Sequence, residues 1–284
     1  LATLHKKKAE MLVTVFTIKK VHMELKNSTI LITGGTSGIG LEFVKQLCEY
    51  GSKVIVTGRN LDALKETKKR FPDVHVFQSD VSNSQDIEAL FLQVTEQFPD
   101  LNIVINNAGI MRLIDALDTA KDLENVTYEI EVNLSGTIQM VHRFLPHLIK
   151  KKAAAIVNVS SAIAFLPYSS APIYSASKSG VHAYTQALRL QLHKTSVRVF
   201  EVMPPGVKTN LQNDWVLQPD PGMMMDVTKM VSAAIKGMLK DTLEIKPGLT
   251  GVVKLFSRLI PGLIIRFGHR EFEKFKKLNV VHTK

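Results

Sequence analysis

One cysteine and one tryptophan stand among the 284 residues of this chain. A lone thiol, Cys48, rules out an internal disulfide, so nothing here requires an oxidising compartment. Its place on an apolar helical stretch reads as a small buried residue. Aromatic residues make up only 7% of the chain. None interleave with the basic residues to form a nucleic-acid groove, and no nucleic-acid-binding motif is present. Long hydrophobic runs are also missing. The stretch Met11 to Ile18, between Lys6-Lys7-Lys8 and Lys19-Lys20, loosely mimics a signal peptide. It falls far below the roughly 20 residues that span a bilayer, and no small-residue cleavage site follows it. His142, His147, His182 and His193 lack metal-ligand spacing, and no metal site is expected. Linkers, repeats and low-complexity blocks are absent between residues 27 and 248, which argues for a single domain.

Charge is unevenly placed. The net charge is +10. Residues 1–22 hold five Lys and one Glu, a net +4, and residues 249–284 hold eight Lys and Arg and two Glu, a net +6. The body between them is neutral. Basic ends suit an anionic membrane surface better than nucleic acid, and solvated ends without a role are the plainer alternative. Residues 1–22 are expected to be a poorly ordered extension, residues 23–248 the domain, and residues 249–284 a basic amphipathic tail. A cytoplasmic location is expected, with membrane association through the tail left open.

From Asn27 onward, strand and helix patterns alternate. Apolar runs at Thr29–Thr33, Lys53–Thr57, Val74–Gln78, Asn102–Asn106, Ala155–Val159 and Val197–Met203 read as strands. Helices are expected to start near Ile39, Leu61, Ser84, Asn133 and Ile173, with Asn60 and Ser82 or Asn83 as N-caps. A helix from Asp226 to Lys240 and a short strand near Leu243–Lys246 complete the pattern. Runs such as Val54-Ile55-Val56 are apolar on both faces, as buried parallel strands are. The expected fold is α/β, a doubly wound parallel sheet of Rossmann type in one domain.

The chemistry centres on Thr33-Gly34-Gly35-Thr36-Ser37-Gly38-Ile39-Gly40. A strand leads in and an amphipathic helix leads out. Glycines in that context let backbone approach a pyrophosphate, with the helix N-terminus facing the negative charge. The second strand ends Val56-Thr57-Gly58-Arg59. An NAD site usually carries an acidic residue there; this chain offers a guanidinium, which can grip a phosphate in bidentate fashion. Arg59 therefore points to the 2′-phosphate of NADP rather than to NAD. Asp80-Val81 closes the third strand, at the expected adenine edge. Asn106-Asn107-Ala108-Gly109 closes the fourth, where small residues permit close cofactor approach. Tyr174 and Lys178 lie four residues apart on one helix face. A nearby ammonium favours the phenolate, so Lys178 is expected to lower the Tyr174 pKa and make it a general acid or base near neutrality. The Ser161 hydroxyl could stabilise charge on the same substrate oxygen; Ser160, which strand alternation points the other way, is the alternative.

Taken together and in this order, the glycine turn, Asp80-Val81, Asn106–Gly109, Asn133, Ser161, and Tyr174 with Lys178 resemble the short-chain dehydrogenase/reductase family over about residues 27–248. Within it, the chain most resembles a bacterial subgroup linked to D-alanine esterification of lipoteichoic acid. The resemblance implies NAD(P)-dependent interconversion of an alcohol and a carbonyl. Tyr174 would pass the proton and Ser161 would orient the substrate oxygen. Lys178 would bind the nicotinamide ribose and tune Tyr174, and the Asn133 backbone would hold a relay water. It also implies a homodimer or homotetramer paired through the helices that start near Asn133 and Ile173. Two departures stand out. Ala164 replaces a common glycine, and Pro204-Pro205-Gly206-Val207-Lys208-Thr209 stands where Pro-Gly is usual. If Pro204 takes the family's proline position, Thr209 falls where a threonine contacts the carboxamide; if Pro205-Gly206 is the match, Thr209 comes one residue early.

Leu211 to Met225, with Trp215, Pro219, Pro221 and Met223-Met224-Met225, reads as a lid for an apolar substrate or as an ordinary loop. In the tail, Lys254, Arg258, Arg266, Arg270 and Lys274 recur at multiples of four beside an apolar face, broken at Pro261-Gly262. Such a tail could lie on a membrane, cover the substrate mouth or form a subunit interface. The expected function is an NADP(H)-preferring oxidoreductase acting on an apolar or acyl small molecule. The rival is an accessory nucleotide-binding protein that works through its basic tail.

Overall fold

The computed structural model describes residues 23–117, 122–209, 211, 222 and 224–282. The N-terminal extension and most of the lid segment, including Trp215, Pro219, Pro221 and Met223, lie outside the described residues. Seven parallel strands form one sheet: β1 (Thr29–Thr33), β2 (Lys53–Gly58), β3 (His75–Gln78), β4 (Leu101–Asn106), β5 (Ala154–Val159), β6 (Val197–Val202) and β7 (Glu244–Ile245), in the order β3-β2-β1-β4-β5-β6-β7. The order reverses between β1 and β4, and that reversal opens a crevice beyond the strand C-termini where ligands of such sheets bind.

Strand side chains alternate between faces. Ile30 and Ile32 of β1 join one core with Val54, Val56, Ile103 and Ile105, while Leu31, Ile55 and Val104 join the other. Helices cover both. α1 (Gly38–Glu49) and α7 (Val227–Leu239) bury Phe43, Leu47, Val231 and Met238 on the first face. α3 (Ser84–Gln97), α5 (Gly136–Leu148) and α6 (Pro172–Gln191) bury Leu90, Phe144 and Leu188 on the second. The doubly wound arrangement expected from the alternating pattern is the one observed. Cys48 is half-buried at the rim of the first core rather than fully enclosed.

Capping residues set four of the helix starts. Asn60 accepts from the Ala63 amide at the start of α2 (Leu61–Arg70), and Asn83 from the amides of Gln85 and Asp86 ahead of α3. Asp122 caps α4 (Leu123–Ile130), so this helix begins ten residues before the start read near Asn133. Glu131–Ser135 then forms a π-helical turn before α5. That turn adds one residue to the helical register at this point.

The tail forms α8 (Thr250–Leu259) and α9 (Pro261–His282). Lys254, read as one of the basic residues recurring along the tail, is buried. Its Nζ lies 2.5 Å from a Glu244 carboxylate oxygen and 5.2 Å from the Phe165 ring centroid. Burial works to raise the Glu244 pKa, but the hydrogen bond and charge of Lys254, helped by Gln186 and Lys246, bring it down to about 2.

Phe144 is fully buried and meets Phe91 edge-to-face at 5.2 Å. Phe144→Ala should therefore cost about 3–5 kcal/mol and lower the thermal midpoint by roughly 10 °C. The same truncation at exposed Leu92 should change stability by less than about 0.5 kcal/mol. Differential scanning calorimetry of the two variants reads the difference.

Candidate active site

The site is built where β1, β4 and β5 end. Thr33 closes β1, and its Oγ1 accepts from the amides of Asn107 and Ala108, both at 3.0 Å. The Asn107 side chain donates to the carbonyls of Thr33 (3.0 Å) and Gly34 (3.1 Å). Asn107 thus holds the two strand ends together, and its amide is committed to backbone. Gly34 is left-handed (φ 64°). A Cβ there would lie 2.9 Å from Ala108 Cα, and one at Gly40 would lie 2.1 Å from the Gly34 carbonyl oxygen. No side chain is compatible with that turn.

Helix α1 starts at this turn with its N-terminus open. Its N-cap Ser37 makes no side-chain capping bond, and its first turn contains no acidic residue. Helices α2, α3, α4 and α7 are all capped by Asn or Asp. The backbone donors left over at α1 suit a phosphate, and the macrodipole favours one. Thr36 lies beside Gly58, and Thr209 beside Gly38, where a Cβ would come within 3.3 Å of Thr209 Cβ. Ile39 and Val81 turn their side chains into the two cores, so only their backbones can face a ligand. A cradle that rejects side chains next to unclaimed helix donors fits the pyrophosphate of a dinucleotide.

At the end of β2, the half-exposed Arg59 side chain donates to the Tyr128 hydroxyl and lies 3.8 Å from Asp80. Asp80 Oδ1 accepts from the amide (2.9 Å) and hydroxyl (2.7 Å) of Ser82, which bends the chain after β3. The backbone of Val81 rests against Gly136, where a Cβ would lie 2.5 Å from the Val81 carbonyl oxygen.

Four polar residues converge beyond β4 and β5. Asn133, fully buried in the π-turn, accepts from the Ile110 amide (2.8 Å) and donates to the Ile110 carbonyl (2.9 Å) and Ser177 Oγ (3.0 Å). Lys178 donates to the Val159 carbonyl at 2.9 Å. Gly109 sits between these two: a Cβ there would meet Asn133 Oδ1 at 3.2 Å and Lys178 Nζ at 3.4 Å. The Ser161 side chain lies beside Tyr174, close enough to work against the rise of its pKa. Of the two serines left open by sequence, Ser161 is therefore the one beside Tyr174. Ser160 donates instead to the buried Glu201 carboxylate at 2.5 Å, and His182 holds that carboxylate from the other side at 2.9 Å.

Electrostatics depart from expectation. Burial pushes the Tyr174 phenol well above its ordinary range; the neighbouring Ser161 side chain opposes this, and the charge of Glu129 adds to it. The expected lowering by Lys178 is not found, because Lys178 spends its hydrogen bond on Val159 and lies 5.7 Å from the Tyr174 ring centroid. Burial also lowers the Lys178 pKa to about 8. Glu129 escaped the sequence reading. It is fully buried, 3.5 Å from the Arg112 guanidinium, and accepts from the Arg112 amide at 2.9 Å. Tyr128 was missed with it, because α4 was not recognised as a helix. An Asp122 cap ahead of a 3.6-residue repeat was the available signal. Among the described residues, no group of His, Cys, Asp and Glu is arranged to hold a metal ion.

Known proteins share this fold. The short chain dehydrogenase family model matches residues 28–220. DltE of Bacillus subtilis, described as an uncharacterised oxidoreductase, is 42% identical over 189 residues, covering 66% of this chain and 75% of its own. A short-chain dehydrogenase/reductase from Burkholderia phymatum in complex with NAD has the same fold. Its TM-score is 0.75 at 22% identity, over 84% of this chain and 96% of that one. A short-chain dehydrogenase from Sphingobium yanoikuyae in complex with NADPH gives 0.74 at 25% identity, over 84% and 95%. With the family model spanning most of the sheet and the 42% identical relative running through it, this chain belongs to the short-chain dehydrogenase family of NAD(P)-dependent oxidoreductases.

Proposed function

We propose that the protein is an NADP(H)-preferring reductase of a carbonyl on an apolar or acyl small molecule, with Tyr174 as the proton donor. The observation that carries this reading is the buried cluster of Ser161, Tyr174, Lys178 and Asn133 at the mouth of the dinucleotide cradle.

The open N-terminus of α1 and the backbone of Gly34–Gly40 would hold the pyrophosphate, Arg59 the 2′-phosphate, Asp80 and Val81 the adenine edge, and Ala108, Gly109, Lys178 and Thr209 the nicotinamide half. The nicotinamide, when bound, supplies a hydride for the carbonyl carbon. The protein's part is at the carbonyl oxygen. Burial keeps the Tyr174 phenol protonated at neutral pH, which suits a general acid. The Ser161 hydroxyl donates to the same oxygen and stabilises the charge that develops there. Once Tyr174 has given up its proton, the Lys178 ammonium, which would also hold the nicotinamide ribose, returns one through the relay water. The Asn133 carbonyl, which accepts from Thr137 Oγ1 at 2.8 Å, would hold a relay water. Met111, Leu113, Ile163, Tyr168 and Ala171 pack around Tyr174, and that apolar wall is the reason for proposing an apolar substrate. Pairing through α5 and α6 into a homodimer or homotetramer and a cytoplasmic location, in keeping with the lone Cys48, belong to the same reading.

Tyr174→Phe should lower kcat at least about 100-fold, in line with the loss of a general acid, while NADPH binding stays within about twofold. Arg59→Ala should weaken NADPH roughly tenfold or more, the worth of a charged hydrogen bond, and leave NADH unchanged. Fluorescence titration of both nucleotides measures this. Equal affinity of the wild type for NADH and NADPH would remove the NADP preference and leave the reductase in place. The folded Lys178 pKa of about 8 lies below its ordinary value. Its charge is therefore present below pH 8 and lost as pH rises through it, so kcat/KM for reduction should fall above about pH 8. A profile flat to pH 10 would remove Lys178 from the proton step.

A further inference from the structure

Helix α8 is inside out. Val252, Leu255, Phe256 and Leu259 follow the i, i+3, i+4, i+7 spacing of one helix face, yet all four are exposed, by 42–66%. The face turned to the protein carries Thr250 and Lys254, both buried. Lys254 fastens it through Glu244, and Ser257 Oγ donates to the Lys254 carbonyl at 2.9 Å. The apolar stripe crosses the break at Pro261 and runs on into α9, where Leu263 and Phe267 are 62% and 51% exposed. An apolar face of this extent left in water marks an interaction surface.

Charge decides the partner. Arg258 and Arg266 are exposed within the same stretch and form no ion pair among the described residues. Residues 249–284 carry eight Lys and Arg against two Glu. Pairing two copies through this face by a two-fold axis would bring like charges together. An anionic bilayer supplies both apolar depth and opposite charge. Among the described residues, no helix is long and apolar enough to cross a membrane, so the helices would lie in the interface.

We infer that α8 and the start of α9 form a docking surface for an anionic phospholipid bilayer. The surface is joined to the catalytic end of the molecule. Lys254 stacks on Phe165, Gly268 packs on Pro167, where a Cβ would lie 2.5 Å from the carbonyl oxygen, and His269 Nδ1 lies 3.3 Å from Ser169 Oγ. That 165–169 segment connects Ser161 to Tyr174, so the docking helices pack with their inner face directly on it. The inference does not rest on the redox reading: failure of that reading shows in nucleotide binding, failure of this one in lipid binding.

The test is flotation of the purified full chain with vesicles of phosphatidylglycerol and phosphatidylcholine, against phosphatidylcholine alone. The expected result is at least about tenfold more protein on the anionic vesicles, declining with added salt. Leu255→Glu/Leu259→Glu and Arg258→Glu/Arg266→Glu should each remove about tenfold of it while melting as the wild type does. Because all four side chains are exposed, the arginine pair carries the test if the leucine pair fails to fold. No flotation, or flotation that neither pair affects, overturns the inference. So does light scattering that shows Leu255→Glu/Leu259→Glu splitting a larger assembly into a smaller one, since the face would then join copies of the chain.

Discussion

The hydroxyl of Thr33 governs the geometry of this protein's working end. Its oxygen accepts two amides from the end of β4, and Asn107 returns the connection to the carbonyls of Thr33 and Gly34. Strands β1 and β4 are neighbours whose following segments run to opposite faces of the sheet. Left alone, their ends would splay. The Thr33–Asn107 stitch holds them at a separation so small that Gly34 and Gly40 admit no Cβ. Cradle, open helix end and catalytic cluster all take their positions from that closure.

A second layer of control comes from buried polar groups that touch no reacting atom. Asn133 ties the segment after β4 to α6 through Ile110 and Ser177. Glu201 engages both Ser160 and His182, fixing the backbone from which Ser161 projects. Each group is satisfied on more than one side, as a buried polar network must be if it is to order a core rather than weaken it. The position of the Tyr174 hydroxyl thus depends on residues from four separate elements of the fold.

Much of this was legible in sequence, for physical reasons. The Ile and Val runs of β1, β2 and β4 are buried on both faces, so their apolar character is continuous and unambiguous. Asn60 and Asn83 are local caps, and a local interaction can be read locally. The order of Gly40, Asp80, Asn107, Ser161, Tyr174 and Lys178 along the chain is also their order of arrival at one sheet edge. What escaped depends on distant partners. Tyr174 was expected to be made acidic by Lys178, but burial dominates, and burial is set by the whole fold. Lys254 was placed with the other basic residues of the tail because its partner, Glu244, comes from a different element. Glu129 and Tyr128 were missed because the helix that carries them was read as starting later.

The π-turn at Glu131–Ser135 bears on how this fold can change. A π-turn holds about one residue more than the α-turn it replaces. It therefore sets the phase between two halves of a long helical rod, α4 on one side and α5 on the other. Upstream, Tyr128 meets Arg59 and the charge of Glu129 reaches Tyr174; downstream, Gly136 and Phe144 face Val81 and the core. Deleting a single residue there would yield a straighter and locally more regular helix. It would also rotate one half against the other by roughly 100°, so that both sets of contacts could not be kept. The irregularity works as a phase shifter between the two halves of the rod.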